Sequence, residues 1–207
     1  MKKELVIVVP GLMYWKTSSN IIKKIEFLFY SLFQRRDPVF ANYGAVWSKH
    51  LKKAGRETIW LHWGRALAPF SVRNGVKRLK RIIRKYRHTC NIKILGLSIG
   101  GEIALEAARE FDDGSIKKIV LLASVNENTK CTIKRIPITN IYSPQDIFLK
   151  VALKFFAPIH GGMKLKGRNV NNISIPNLNH DDFMGNRAIK SGKYKGKYIL
   201  DVVNSEL

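Results

Sequence analysis

The chain has 207 residues, 45% of them hydrophobic and 25% charged, with 37 Lys and Arg against 15 Asp and Glu for a formal net charge of +22. That length and composition fit one soluble domain with a full-sized core. They exclude a disulfide scaffold, since Cys90 and Cys131 are the only cysteines, and their spacing suits no metal site. So basic a surface attracts anions, whether phospholipid headgroups, nucleic acid or acidic substrates, and says nothing about fold.

The N-terminus, MKKELVIVVPGLMYW, imitates a secretory signal. Glu4 interrupts its basic part, Pro10-Gly11 breaks the apolar run, and no small-residue cleavage site follows. No run is long enough to span a bilayer. The expectation is a cytoplasmic protein, peripheral to a membrane if it meets one.

Leu5 to Val9 is a β-branched run stopped by Pro10-Gly11, the pattern of a buried strand and its exit turn. The following residue, Leu12, offers a backbone N–H that glycine flexibility at position 11 can bring against a bound group. The same residues also suit a plain strand-ending turn. Across residues 16–40, Ile21, Ile25, Leu28 and Leu32 follow helical spacing, flanked by Lys23, Lys24, Arg35 and Arg36. That stretch fits a small helical cap, a membrane-contacting helix or a helix packed on its own domain. Tyr43, Trp47, Leu51 and Ala54 form a second stripe, ended by Gly55.

Thr58 to Trp63 reads as the next strand. Val72, Val76, Leu79, Ile83 and Tyr86 then mark one face of a helix whose other faces carry Arg73, Lys77, Arg78, Lys80, Arg81, Arg84, Lys85 and Arg87. Such a charge run is a solvated face or a phosphate-tracking surface; the lack of interleaved aromatics argues against single-strand base stacking.

The apolar run through Ile92, Ile94, Leu95 and Leu97 leads directly into Gly96-Leu97-Ser98-Ile99-Gly100 and a helical pattern through Ile103, Ala104, Ala107, Ala108 and Phe111. This is G-x-S-x-G in the context of strand, tight turn and helix. Gly96 and Gly100 suit a turn so sharp that a side chain there would strike neighbouring backbone. Ser98 is thereby lifted above the sheet, and the Ile99 N–H lies at a helix N-terminus, where a developing oxyanion is stabilised.

Gly114 ends that helix, and Ile116 to Ala123 and Ile138 to Tyr142 give two more strands. A helical stretch runs from Ile147 toward Phe156, Asn172 to Ile175 reads as the last strand, and Tyr194, Tyr198, Val202 and Val203 suggest a closing helix. Six short strands alternating with helices imply βαβ units and a mostly parallel sheet with helices on both faces, all in one domain spanning 1–207.

A serine hydroxyl needs a histidine base, and that base needs a carboxylate to fix its tautomer. Catalytic groups of parallel sheets collect beyond the carboxyl ends of strands. Downstream of Ser98, Asp146 follows one strand end and His180 another. Asp112 and Asp113 lie at the wrong end of the sheet and read as solvent charges, while Asp181 and Asp182 read as the start of a helix. His50 falls on a helix flank, His88 precedes a strand and His62 precedes the serine. His160 is the rival base, in a long connection.

The order Ser98, Asp146, His180, with Pro10-Gly11-Leu12 after the first strand, resembles the α/β-hydrolase superfamily of esterases and lipases. Asn179-His180-Asp181-Asp182-Phe183 is similar to the histidine segment of several lipases. The resemblance implies a three-layer α/β-hydrolase-type fold in which Ser98 is nucleophile, His180 base and Asp146 orienting acid. The N–H groups of Leu12 and Ile99 would form the oxyanion hole, with no metal or organic cofactor. Two departures stand out: Pro10-Gly11 replaces the usual His-Gly, and no stretch of this sequence reads as the family's extra N-terminal strands or a large cap. The implied partner is a small-molecule or lipid ester, met at an anionic membrane surface in keeping with the charge, with nucleic acid the less favoured partner. The alternative from another class is a non-catalytic basic module of the same fold that binds anionic membrane or nucleic acid.

Overall fold

A computed structural model describes residues 2–11, 47–61, 63, 69–124, 126, 129–147, 149–150, 162–184 and 187–207. The expected cap at 16–40, Leu12, His62 and His160 lie outside the described residues.

Among the described residues, six strands form one sheet: β1 Lys3–Val9, β2 Glu57–Trp60, β3 Cys90–Leu97, β4 Ile116–Leu122, β5 Ile138–Tyr142 and β6 Val170–Ser174. Their spatial order is β2-β1-β3-β4-β5-β6, and every pairing is parallel. The helices are α1 Pro69–Tyr86, α2 Ile99–Ala108 continued by a 3-10 turn at Arg109–Phe111, α3 His180–Met184 and α4 Ile199–Glu206, with a further helical segment at 47–53.

Continuous apolar runs form these strands because both faces of the sheet are covered. Register places Leu5 beside Ile92, and Ile7, Ile94, Ile119 and Ile138 in one row across four strands. That face packs on Leu79 and Ile83 of α1 and on Ile103, Ala104 and Ala107 of α2. The alternate residues, Val6, Val8, Leu95, Val120 and Leu122, face the other way, onto Trp47, Leu51, Phe183 and Val202 and Val203 of α4. Three layers result. The expected α1 stripe is the buried one, with Val72, Val76 and Tyr86 also against the core. Among the cations on its outer faces, Lys80 and Arg84 pair with Glu110, whose carboxyl their hydrogen bonds hold below its usual range.

Several boundaries differ from expectation. The second strand stops at Trp60 instead of Trp63, although the Leu61 N–H still reaches Val8 O at 2.9 Å. The last strand begins at Val170, not Asn172, and ends before Ile175. Asparagine is a poor strand former, but Asn172 exchanges side-chain hydrogen bonds with both the N–H and the carbonyl of Leu165 at 3.1 and 2.8 Å. The closing helix excludes Tyr194. Gly192 and Gly196 adopt positive φ of 79° and 84°, and the chain turns there until an extended Tyr198 starts α4.

From β1 the chain goes first to the neighbour on one side and then, through α1, to β3 on the other. The crevice beyond β1 and β3 is therefore the switch point at which an open parallel sheet holds ligands. No helix among the described residues is long and apolar enough to cross a membrane.

Candidate active site

Ser98 stands between β3 and α2 with φ 53° and ψ −125°. A non-glycine residue at positive φ costs about 1–2 kcal/mol, and the surroundings impose it. The Ser98 N–H donates to Leu122 O at 2.9 Å, and its carbonyl accepts from Gly101 N–H at 2.9 Å. The flanking glycines permit the turn. A Cβ on Gly96 would lie 2.7 Å from Gly101 Cα, and one on Gly100 would lie 2.2 Å from Val9 O. Gly11 is equally confined: a Cβ there would come within 2.5 Å of Ser98 Cβ and of Leu97 O. The exit of β1 thus lies directly against the serine. Trp63, buried after β2, donates its indole N–H to Pro10 O at 2.8 Å and anchors that exit.

His180 begins α3, just beyond β6, and Asp146 follows β5. His180 Nε2 lies 3.0 Å from Ser98 Oγ, and His180 Nδ1 lies 3.0 Å from Asp146 Oδ2. The other carboxylate oxygen, Oδ1, accepts the Leu149 N–H at 2.8 Å, so Asp146 also caps the helical turn that follows it. All three side chains are buried, Asp146 completely. With Asp146 ionised, Nδ1 holds the imidazole proton and Nε2 accepts from the Ser98 hydroxyl. Ile99 opens α2, where the first amides have no acceptor within the helix. Chemically, such an arrangement removes the serine proton as a bond forms and receives negative charge at the helix start.

The other candidates sit elsewhere. Asp112 is not a free solvent charge: it accepts the N–H groups of Lys134 and Arg135 at 2.8 and 2.7 Å, bracing that loop. Asp113 accepts the Ser115 N–H at 2.9 Å, and hydrogen bonds from the Ser115 side chain and backbone, with help from Arg87, lower its pKa. Asp182 caps the Asn179 N–H at 2.9 Å and pairs with Arg187 at 2.9 Å. His50 lies on the 47–53 helix, and His88 is exposed beside Arg87. Among the described residues, no group of three or more His, Cys, Asp or Glu side chains is placed to hold a metal ion.

The profile of the Alpha/beta hydrolase family matches residues 36–197, most of the chain. The protein belongs to the alpha/beta hydrolase family. No curated protein is significantly similar in sequence. Among solved structures, this alpha/beta hydrolase is similar in fold to the metagenome-derived lipolytic enzymes LipS and LipT, at 10% identity over 86% of each chain with a TM-score of 0.54. It is likewise similar to Est1E from Butyrivibrio proteoclasticus, at 12% identity over 99% of this chain and 85% of that one, TM-score 0.52. Aspergillus fumigatus lipase B matches at 14% identity over 98% of this chain and 56% of its own, TM-score 0.54. At such identities the likeness concerns the fold.

Sequence reasoning singled out Ser98, Asp146 and His180, which the fold brings together, and passed over Trp63 and Ser143. An aromatic next to a strand end signals core before it signals a hydrogen-bond anchor. The Ser143-Pro144 pair marks a turn without showing what its hydroxyl reaches.

Proposed function

We propose that this alpha/beta hydrolase is a serine esterase acting on carboxylic esters through an acyl-enzyme. The observation that carries the reading is the unbroken chain Ser98 Oγ, His180, Asp146, with both links at 3.0 Å. Ser98 attacks the ester carbonyl while His180 Nε2 takes its proton. Negative charge on the carbonyl oxygen is met by backbone N–H groups, with Ile99 as one donor and Leu12 as the other. His180 then protonates the departing alcohol, leaving the acyl group on Ser98. Water enters, His180 takes its proton, and the acid is released with the hydroxyl restored. The residues need no metal or organic cofactor for this cycle.

For substrate class we favour lipid esters at an anionic interface. The +22 charge concentrates the protein at anionic surfaces, and relatives of similar fold include lipolytic enzymes. The test is hydrolysis of p-nitrophenyl esters of graded chain length, alone and with anionic vesicles. Wild type should turn over, and Ser98→Ala should lose at least about 1,000-fold of kcat. Full activity in Ser98→Ala would falsify the reading. Affinity for vesicles or duplex DNA that survives loss of Ser98, with no ester turned over by wild type, would favour the non-catalytic basic module instead.

A further inference from the structure

β5 and β6 are parallel neighbours with Tyr142 paired to Ser174, so the chain leaves both strands side by side. The Ile175 N–H still bonds Tyr142 O at 2.8 Å. Beyond that point main-chain pairing ends and side chains take over. Ser143, fully buried, accepts the Leu178 N–H and the Gln145 N–H, each at 3.3 Å, and its hydroxyl donates to Gln145 Oε1 at 3.3 Å. Gln145 Oε1 in turn accepts the Asn177 N–H at 3.1 Å.

The receiving turn has its own geometry. Pro176 and Asn177 occupy its centre, and Asn177 takes a φ of 60°, as a type II turn requires of its third residue. That turn aims two consecutive N–H groups at the loop leading to Asp146. The Asn177 side chain is held from the far side by Ser191 Oγ at 3.1 Å. From three residues before the acid and two residues before the histidine, the two loops are thus cross-linked by two hydrogen bonds, Leu178 N–H to Ser143 Oγ and Asn177 N–H to Gln145 Oε1.

We propose that Ser143 and Gln145 are positioning residues that set the Asp146–His180 separation by clamping the acid loop to the histidine loop. This deepens the esterase reading and rests on it for its kinetic consequence, though the geometric claim stands apart. A displacement of about 1 Å at a catalytic group costs up to 100-fold in rate. The hydrogen bonds of both side chains run to Leu178, Asn177 and each other, none to Ser98, so both act through Asp146 and His180.

The experiment compares the full chain with Ser143→Ala, Gln145→Ala and Gln145→Glu, the last keeping an acceptor for the Asn177 N–H. The first readout is the proton NMR resonance of His180 Nδ1–H, which a short bond to Asp146 moves far downfield and shields from exchange. The second is kcat and KM on an activated ester. With unfolding temperatures near wild type, Gln145→Ala and Ser143→Ala should broaden or lose the resonance and lower kcat about 10-fold or more with KM unchanged. Gln145→Glu should recover both. An unchanged resonance and kcat in folded Gln145→Ala would overturn the proposal, and because Gln145 is exposed that variant decides the matter if Ser143→Ala does not fold. A wild type that shows the resonance yet hydrolyses no ester would sink the esterase reading alone, leaving the clamp to be judged by NMR.

Discussion

Gly100→Ala perturbs the contact between the start of α2 and the end of β1. The new Cβ would lie 2.2 Å from Val9 O, 2.6 Å from Pro10 O and 2.8 Å from Val9 C. All three are backbone atoms, so no side chain can swing aside, and relief requires α2 or β1 to move by about 1 Å. Neither is free to move. Val9 is paired with Gly96 in the sheet, and Pro10 O is held by the Trp63 indole. Overpacking of this kind costs about 3 kcal/mol, against which alanine recovers at most about 1 kcal/mol of helix propensity. The net loss of about 2 kcal/mol should lower the urea midpoint by about 0.8 M at a slope of about 2.5 kcal/mol/M. Gly114→Ala is the control. It has nothing within 4 Å but a φ of 89°, so alanine there meets only the backbone strain of a positive φ, about 1 kcal/mol. Urea unfolding by circular dichroism ranks the two. Gly100→Ala should be the less stable, and its ester hydrolysis should fall about 10-fold or more because the β1 exit shifts against Ser98. If Gly100→Ala were as stable as Gly114→Ala and fully active, the packing account of the elbow would be wrong.

Three further outcomes are expected. Asp146→Asn keeps the shape but removes the charge that fixes the His180 tautomer, so kcat on an activated ester should drop by about 10⁴ while circular dichroism stays native; a loss under 10-fold would show that Asp146 does not orient the base. Trp63→Phe leaves Pro10 O without its indole donor in a buried place, which should cost about 1–3 kcal/mol in urea unfolding, and a variant as stable as wild type would contradict that anchor. Burial raises the pKa of the half-buried Cys131 thiol, outweighing the lowering influences of the Ile133 backbone and Arg109; a thiol reagent at pH 8 should therefore modify native protein far more slowly than unfolded protein, and equal rates would refute the burial.

The sheet was legible because its strands are buried on both faces. Runs such as LVIVV and IKKIVLL have no other economical use in a chain of this polarity, and their alternation reappears as the two sides of the core. Ser98 was legible for a local reason, since its two glycines and following helix are contiguous in sequence. Asp146 and His180 could be reached only by combining chain order with the rule that groups gather beyond strand ends. What sequence did not disclose are bonds made across long separations by residues with several uses. Asn172 reads as the start of a strand, and nothing in the sequence shows that Leu165 satisfies its side chain. Ser143 looks like the start of a turn, yet its partner is 35 residues away. Trp63 looks like core, and is, but its indole N–H fixes a carbonyl 53 residues earlier. The start of α4 was misplaced for a local reason, because glycines at positive φ near Tyr194 cut a pattern that apolar spacing alone continued.

The central claim is that Ser98 is an activated nucleophile. A fluorophosphonate probe reads this directly, since the serine oxygen displaces fluoride and the protein gains the mass of one phosphonyl group. Intact mass spectrometry of wild type and Ser98→Ala after labelling should show a single adduct on wild type and none on the variant. An unmodified, folded wild type, or an adduct that persists in Ser98→Ala, would contradict the account.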